Sequence, residues 1–133
     1  MIPSVNQIEL HPFFAQSQAL ALMKEYGIVA QAWGPLAEGK HGIFTDPQLT
    51  AIGQKYGKTA AQVVLRWNVQ RGVSIIPKSV HVEKMKENLD IWDFSLSEEE
   101  MQTIAAKDLG RSEIVDHDDP AFVRALCAMK IHD

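Results

Sequence analysis

Two lysines, a serine, a glutamate and an asparagine lie close together after a short apolar run. The run is followed by Lys78 and Ser79, and Lys84, Glu87 and Asn88 then occur at i, i+3 and i+4, which places those three on one helix face. The free N–H groups and the dipole of a helix N-terminus attract anions, and the two cations add to this attraction. The carboxylate and the amide fit an adenine beside such an anion. The pattern therefore predicts a site for a phosphorylated ribose and its adenine.

A structural interpretation of the same residues stays open. Lys78 and Ser79 are also compatible with a solvated loop followed by an ordinary helix cap, and Lys84 with a solvated surface lysine. The shared face of Lys84, Glu87 and Asn88 argues against the solvated loop.

Short strands and longer helices alternate along the chain. Runs rich in β-branched or aromatic residues, each closed by Pro or Gly, predict strands over residues 5–10, 28–33 and 73–76. Apolar spacing and capping signals predict helices over residues 17–26, 46–56, 59–71, 81–90, 97–108 and 120–129. This order indicates an α/β fold with a parallel sheet, in a single domain over residues 1–133 whose sheet edges are open.

Several helix details are predicted as well. Ser17 is the expected N-cap of the first helix, and Thr59 with Gln62 and Ser97 with Glu100 have the spacing of capping boxes. The side chains expected to face inward are Ala19, Leu22, Met23 and Tyr26 in the first helix, Ala60, Val63, Val64 and Trp67 in the third, and Val82, Met85 and Leu89 in the fourth.

Polar residues gather at the carboxyl ends of the predicted strands. The period of two places Gln7, Glu9 and His11 on one face of the first strand, and Trp33 ends the second strand before Gly34. Ligand sites of parallel α/β folds lie at that end of the sheet. We therefore expect these residues to lie near Lys78 and Ser79.

Composition excludes several classes of function. The net charge of -4 disfavours binding to nucleic acid or to an anionic membrane through bulk charge. A single cysteine, Cys127, rules out an intramolecular disulfide, suits a reducing compartment and is expected to be a buried or incidental thiol. The five histidines lack metal-ligand spacing, so no metal is expected. Neither a signal peptide nor a long apolar segment occurs, and the prediction is a cytoplasmic protein.

Several motifs in order resemble a known family. Residues 6–12 (NQIELHP), 32–36 (AWGPL) and 76–88 (from IPKS to EN), together with 65–67 and 93–97, are similar to the aldo-keto reductases. Bacterial members such as 2,5-diketo-D-gluconate reductase, which carry Trp in the second motif, show a particularly clear resemblance. The resemblance spans roughly residues 5–119 and implies the fold and activity of the family, an NADP(H)-dependent (β/α)8 TIM barrel that reduces small carbonyl substrates. It further implies that this chain holds the C-terminal portion, strands six to eight with their helices and the C-terminal loop.

The resemblance implies cofactor contacts near the first two strands. Gln7 would hydrogen-bond the nicotinamide carboxamide, Trp33 would stack on the nicotinamide ring, and Gly34 and Leu36 would run past the pyrophosphate. Gln7 and Glu9 as polar fillers of a barrel interior, and Trp33 as a core aromatic, are the structural alternatives. With the resemblance, Gln7 is read as functional and Glu9 as structural.

The same comparison assigns the residues after the third strand. Lys78 and Ser79 would meet the ribose 2′-phosphate, and Glu87 and Asn88 would contact the adenine. Lys84 stands where many members have Arg, which keeps the charge but loses the bidentate fork and weakens the inference of NADPH preference. The acidic loop over residues 116–119 would lie where the family covers its substrate, so it would bias substrate choice.

The catalytic residues of the family are not expected in this chain. The resemblance places a Tyr acid and its Lys, Asp and His partners on strands two to four, before Val5, and a Ser-Asn pair that holds the carboxamide on strand five. Tyr26 and Tyr56 fall at helix ends before glycine and do not replace the acid. The opening residues run directly into a strand, as in a chain entered midway. The isolated chain is therefore expected to be catalytically silent.

Two other functions remain open. One is a split or truncated gene product that pairs with an N-terminal partner or self-associates through its sheet edges. The other is a non-catalytic, nucleotide-binding regulatory module.

Overall fold

The computed structural model describes residues 1–112, 114–115 and 119–129 as a parallel sheet with helices. Its strands are β1 (Val5–Glu9), β2 (Val29–Trp33) and β3 (Ser74–Ile75). Its helices are α1 (Ser17–Glu25), α2 (Pro47–Tyr56), α3 (Ala60–Gln70), α4 (Val82–Leu89), α5 (Glu98–Ala105) and α6 (Pro120–Ala128), and a stretch of tight turns covers Ala37–Gly42. The predicted α/β class and parallel sheet are confirmed, with strands that end up to one residue short of the predicted bounds.

The sheet order is β1-β2-β3, with both pairings parallel. β1 and β2 pair over five residues, in a register that sets Gln7 opposite Gln31 and Glu9 opposite Trp33. β2 and β3 pair over two residues only. Because side chains alternate along a strand, these four polar or aromatic side chains share one face of the sheet.

α3 packs against α2, α4 and β3, and α2 packs against α5. Thr59 and Ser97 both form the predicted capping boxes, with Gln62 and Glu100 as their reciprocal partners. The predicted inward side chains of α3 are buried, and Trp67 donates its indole N–H to the backbone oxygen of Met101 at 3.3 Å. The turn between α2 and α3 folds back closely on α2 at Gly53. A Cβ at this position would overlap the backbone oxygen of Lys58, so the position requires glycine.

The prediction for α1 is wrong in part. Gln16, not Ser17, is the N-cap, in a left-handed conformation and without a side-chain capping bond. Its side chain instead donates to the backbone oxygen of Glu9 at 2.6 Å. Met23 is buried as expected, but Leu22 and Tyr26 are more than half exposed.

The prediction for α4 is wrong in orientation. Val82, Met85 and Leu89 were expected to face inward and are exposed, Leu89 at 71%. The cause is a polar contact, because Gln62 Nε2 donates to the backbone oxygens of Glu87 and Asp90 at 3.1 and 2.8 Å. This contact turns the polar face of α4 towards α3 and leaves its apolar face outside.

The C-terminal segment contains the predicted short helix, α6, whose N-cap Asp119 accepts from the N–H of Ala121. Cys127 is exposed, which excludes the buried thiol and leaves the incidental thiol of the two predicted alternatives. Most of the acidic loop, residues 116–118, lies outside the described residues. In the described part of the chain no helix is long and apolar enough to cross a membrane.

Candidate functional site

One cavity gathers most of the residues predicted from the sequence. It has a volume of about 490 Å³ and lies between α3, α4 and the loops after β2 and β3. We call it the Lys78 cavity. Its lining residues are Leu36, Phe44, Thr59, Ala60, Ala61, Lys78, Ser79, Lys84, Glu87 and Asn88. Six of the nine predicted cofactor contacts therefore meet in one place.

The wall formed by α4 is tied to α3 through Glu87. Lys84 Nζ lies 2.7 Å from Glu87 Oε2, and the Thr59 hydroxyl donates to Glu87 Oε1 at 2.6 Å. Partial burial raises the pKa of Glu87, but the hydrogen bonds from Lys84 and Thr59 outweigh it and leave that pKa below its usual value. Thr59, predicted only as a helix cap, is therefore also a wall residue of this cavity.

The positively charged side of the Lys78 cavity has hydrogen-bond donors that are available to a ligand. Lys78 is exposed and forms no ion pair with any residue that the structure describes. Ser79 Oγ accepts from the N–H of His81 at 3.2 Å, at the point where α4 begins. His81, the N-cap of α4, gives its helix no side-chain capping bond, so the N-terminus keeps free N–H donors. A lysine and uncapped amides at one end suit a phosphate.

A second cavity, of about 700 Å³, lies at the carboxyl ends of β1 and β2, and we call it the Trp33 cavity. Its lining residues are Gln7, Ile8, Glu9, Phe14, Gln16, Trp33, Gly110, Arg111, Ser112 and Val115. Gln7 is exposed, and its Nε2 donates to Gln31 Oε1 at 2.6 Å across the strands. Gln7, Glu9 and Trp33 therefore lie together, but they line a different cavity from Lys78 and Ser79, near which they were expected.

The remaining predicted residue, Gly34, lies between these two cavities. A smaller cavity of about 480 Å³ is lined by Gly34 and shares Leu36 and Lys78 with the Lys78 cavity. Gly34 follows Trp33 directly and has a φ of 60°, a conformation that favours glycine. The nine predicted residues therefore line these three cavities.

A buried carboxylate at the end of β1 was predicted only as a structural residue. Glu9 is 4% exposed, and its Oε1 accepts from His11 Nε2 at 2.9 Å while its Oε2 accepts from the Ser112 hydroxyl at 2.5 Å. Burial lowers the pKa of His11 despite the neighbouring Glu9, which keeps the imidazole neutral at pH 7. The period of two had placed Glu9 and His11 together, but nothing in the sequence pointed to Ser112.

Neither tyrosine lies in the two cavities. The Tyr56 hydroxyl donates to Glu100 Oε2 at 2.6 Å where α2 meets α5, and this bond raises the Tyr56 pKa. Tyr26 is exposed beyond the end of α1. Among the described residues no group of three or more His, Cys, Asp and Glu could hold a metal ion.

The chain is similar to known proteins in sequence and in structure. Residues 1–109 match the sequence model of the Aldo/keto reductase family. The chain belongs to the aldo/keto reductase family. Morphine 6-dehydrogenase of Pseudomonas putida is 43% identical over 121 residues, which are 83% of this chain and 41% of that protein. Methylglyoxal reductase DkgA of Escherichia coli K12 is 43% identical over 109 residues, 82% of this chain and 40% of that protein.

A solved structure agrees with this family assignment. A single-residue mutant of Gox0644, in complex with NADPH, superimposes with a TM-score of 0.82 at 37% identity, over 87% of this chain and 42% of that chain. The aldo/keto reductase chain thus spans about two fifths of the length of the relatives it matches.

Proposed function

We propose that this chain binds NADP(H) as the C-terminal part of an aldo-keto reductase, corresponding to strands six to eight of a (β/α)8 barrel. The intact enzyme would reduce a small aldehyde or ketone to an alcohol. The observation that carries the proposal is the convergence of Leu36, Lys78, Ser79, Lys84, Glu87 and Asn88 on one cavity. The NADPH bound to the related Gox0644 mutant supports the choice of cofactor.

The Lys78 cavity would hold the adenine end of the cofactor. Lys78 and Ser79, beside the uncapped N-terminus of α4, would bind the ribose 2′-phosphate. Asn88 and Glu87 would contact the adenine. Lys84 would act mainly by neutralising and orienting Glu87, to which it is already paired at 2.7 Å.

The Trp33 cavity would hold the nicotinamide end. NADPH, when bound, supplies the hydride that reduces the carbonyl. The flat face of Trp33 would fix the side of the ring that is exposed, and Gln7 would bind the carboxamide. Gly34 and Leu36, which line the smaller cavity, would pass the pyrophosphate.

Titration with NADPH and NADH, followed by nicotinamide fluorescence, tests this proposal, and light scattering on the same sample gives the mass. We expect NADPH to bind more tightly than NADH. Lys78→Ala should weaken NADPH by about 10-fold, since hydrogen bonds to charged groups contribute roughly 1.5–3 kcal/mol, and should leave NADH almost unchanged.

Lys86→Ala is the matched control, because Lys86 is an exposed lysine of the following helix, α4, and does not line the cavity. It should bind both nucleotides as the unaltered chain does. Equal affinity for NADPH and NADH, or binding of neither, would contradict the proposal.

A further inference from the structure

Glu9 is a buried carboxylate that needs hydrogen-bonding partners. It is 4% exposed, and His11, its hydrogen-bonding partner at 2.9 Å, is buried as well. A buried charge is tolerated only when its lone pairs are met by donors. Glu9 meets this condition with two donors, one to each oxygen: the ring N–H of His11 and the hydroxyl of Ser112.

The two donors come from different parts of the chain. His11 lies two residues after Glu9, and its other ring nitrogen, Nδ1, has no partner in the described structure. That unpaired nitrogen agrees with the proton residing on Nε2, where it is donated to Glu9. Ser112 lies 103 residues further along and reaches Glu9 from the C-terminal segment.

The Ser112 hydroxyl also binds the backbone of Ile114 and Val115. Its Oγ accepts from the N–H of Ile114 at 3.2 Å and from the N–H of Val115 at 3.0 Å. A hydroxyl that donates to Glu9 and accepts two amides has its hydrogen-bonding capacity in use. Ser112, Val115 and Glu9 all line the Trp33 cavity, and Glu9 is the register partner of Trp33.

We infer that Glu9 is a positioning residue of the nicotinamide end: by binding the Ser112 hydroxyl, it sets the wall that Ser112 and Val115 present to Trp33. This inference rests on the proposed function, because it requires the nicotinamide to lie in the Trp33 cavity. Both carboxylate oxygens of Glu9 are engaged by His11 and Ser112, so the carboxylate would not contact the cofactor or the reacting atoms. It acts through Ser112, and the expected consequence is confined to the nicotinamide end.

Two ligands separate the two ends of the site. NADPH would occupy both cavities, whereas 2′,5′-ADP carries only the adenosine and phosphates that the Lys78 cavity would bind. Ser112→Ala should weaken NADPH by about 3- to 10-fold, the range for one net hydrogen bond, and leave the affinity for 2′,5′-ADP unchanged. Ser112→Thr keeps the hydroxyl and should restore the NADPH affinity.

A double-mutant cycle assigns the effect to Glu9. Glu9→Gln weakens the acceptor, and the Glu9→Gln, Ser112→Ala double variant should bind NADPH no more weakly than the weaker single variant. Amide hydrogen exchange of Ile114 and Val115, measured without nucleotide, should accelerate in Ser112→Ala and return towards the original rate in Ser112→Thr.

The outcomes distinguish this inference from the proposed function. If the unaltered chain binds neither NADPH nor 2′,5′-ADP, the proposed function fails and the inference fails with it. If the unaltered chain binds both, three results overturn the inference alone: unchanged NADPH affinity in Ser112→Ala, equal losses for both ligands, or additive effects in the cycle.

Discussion

The Lys78 cavity and the Trp33 cavity are built in different ways. The Lys78 cavity is formed by residues 36–88, and its walls are held together by contacts between α3 and α4. The Trp33 cavity combines side chains from residues 7–16 and from Trp33 with residues 110–112 and Val115, and one of its contacts joins Glu9 and Ser112.

The two cavities also differ in what surrounds them. Thr59, Glu87 and Lys84 satisfy one another at the Lys78 cavity. At the Trp33 cavity, Gln7 is exposed and relies on Gln31 as its hydrogen-bonding partner. The polar walls of the Lys78 cavity are therefore held by contacts within residues 59–87, whereas the Trp33 cavity depends on contacts between strands and with the distant Ser112.

The largest expected effect concerns catalysis at the Trp33 cavity. The purified chain with NADPH and methylglyoxal should consume NADPH no faster than buffer, measured by the absorbance of the reduced nicotinamide. The physical reason is that no described tyrosine lies in this cavity, and a positioned general acid contributes about 10²- to 10⁴-fold.

Full-length E. coli DkgA is the positive control for this assay. If the chain consumes NADPH and Trp33→Ala abolishes this activity, the Trp33 cavity supports catalysis. That result would contradict the prediction.

The second effect concerns stability and compares a buried leucine of α3 with an exposed leucine of α4. Leu65 of α3 is fully buried, whereas Leu89 of α4 is 71% exposed. Leu65→Ala should lower the free energy of unfolding by about 2–5 kcal/mol, because it removes buried contacts and leaves a cavity. Leu89→Ala is the matched substitution and should change it by less than about 0.5 kcal/mol.

Urea denaturation followed by circular dichroism measures both values. A loss at Leu89 comparable to that at Leu65 would mean that the apolar face of α4 is covered in solution. Light scattering would then show whether a second copy covers it.

The smallest effect distinguishes two helix caps. Thr59→Ala and Ser97→Ala each remove the hydroxyl of a capping box and should each cost about 0.5–2 kcal/mol of stability. Only Thr59 also donates to Glu87, so only Thr59→Ala should weaken 2′,5′-ADP, by a few-fold.

Isothermal titration with 2′,5′-ADP measures that difference, and Thr59→Ser should restore it because the hydroxyl returns. Equal affinities for Thr59→Ala and Ser97→Ala would show that the bond from Thr59 to Glu87 does not contribute to binding of 2′,5′-ADP.

Features that depend on neighbouring residues were predictable from the sequence. The capping boxes of α3 and α5 follow from spacings of three residues, and the buried face of α3 follows from its apolar period. The shared face of Lys84, Glu87 and Asn88 was correct for the same reason. The positions of six predicted residues around one cavity then followed from the motifs.

Features that depend on distant residues were not predictable in this way. α4 carries one polar face and one apolar face, and the contact of Gln62 with Glu87 and Asp90 determines which of them faces α3. The bond between Glu9 and Ser112 spans 103 residues and has no local signature. Gln16 replaced Ser17 as the N-cap because its side chain is held by the backbone of Glu9.

The two outer strands of the sheet have a practical consequence for handling the protein. β1 and β3 each pair on one side only within the described chain, so backbone N–H and C=O groups on their other sides have no partner strand. Such edges join readily to one another when chains are partly unfolded. Heating should therefore lead to aggregation rather than to a reversible transition, and the apparent melting temperature will depend on scan rate and concentration. The solubility of the protein, not its folding equilibrium, will then set the temperature at which it can be studied.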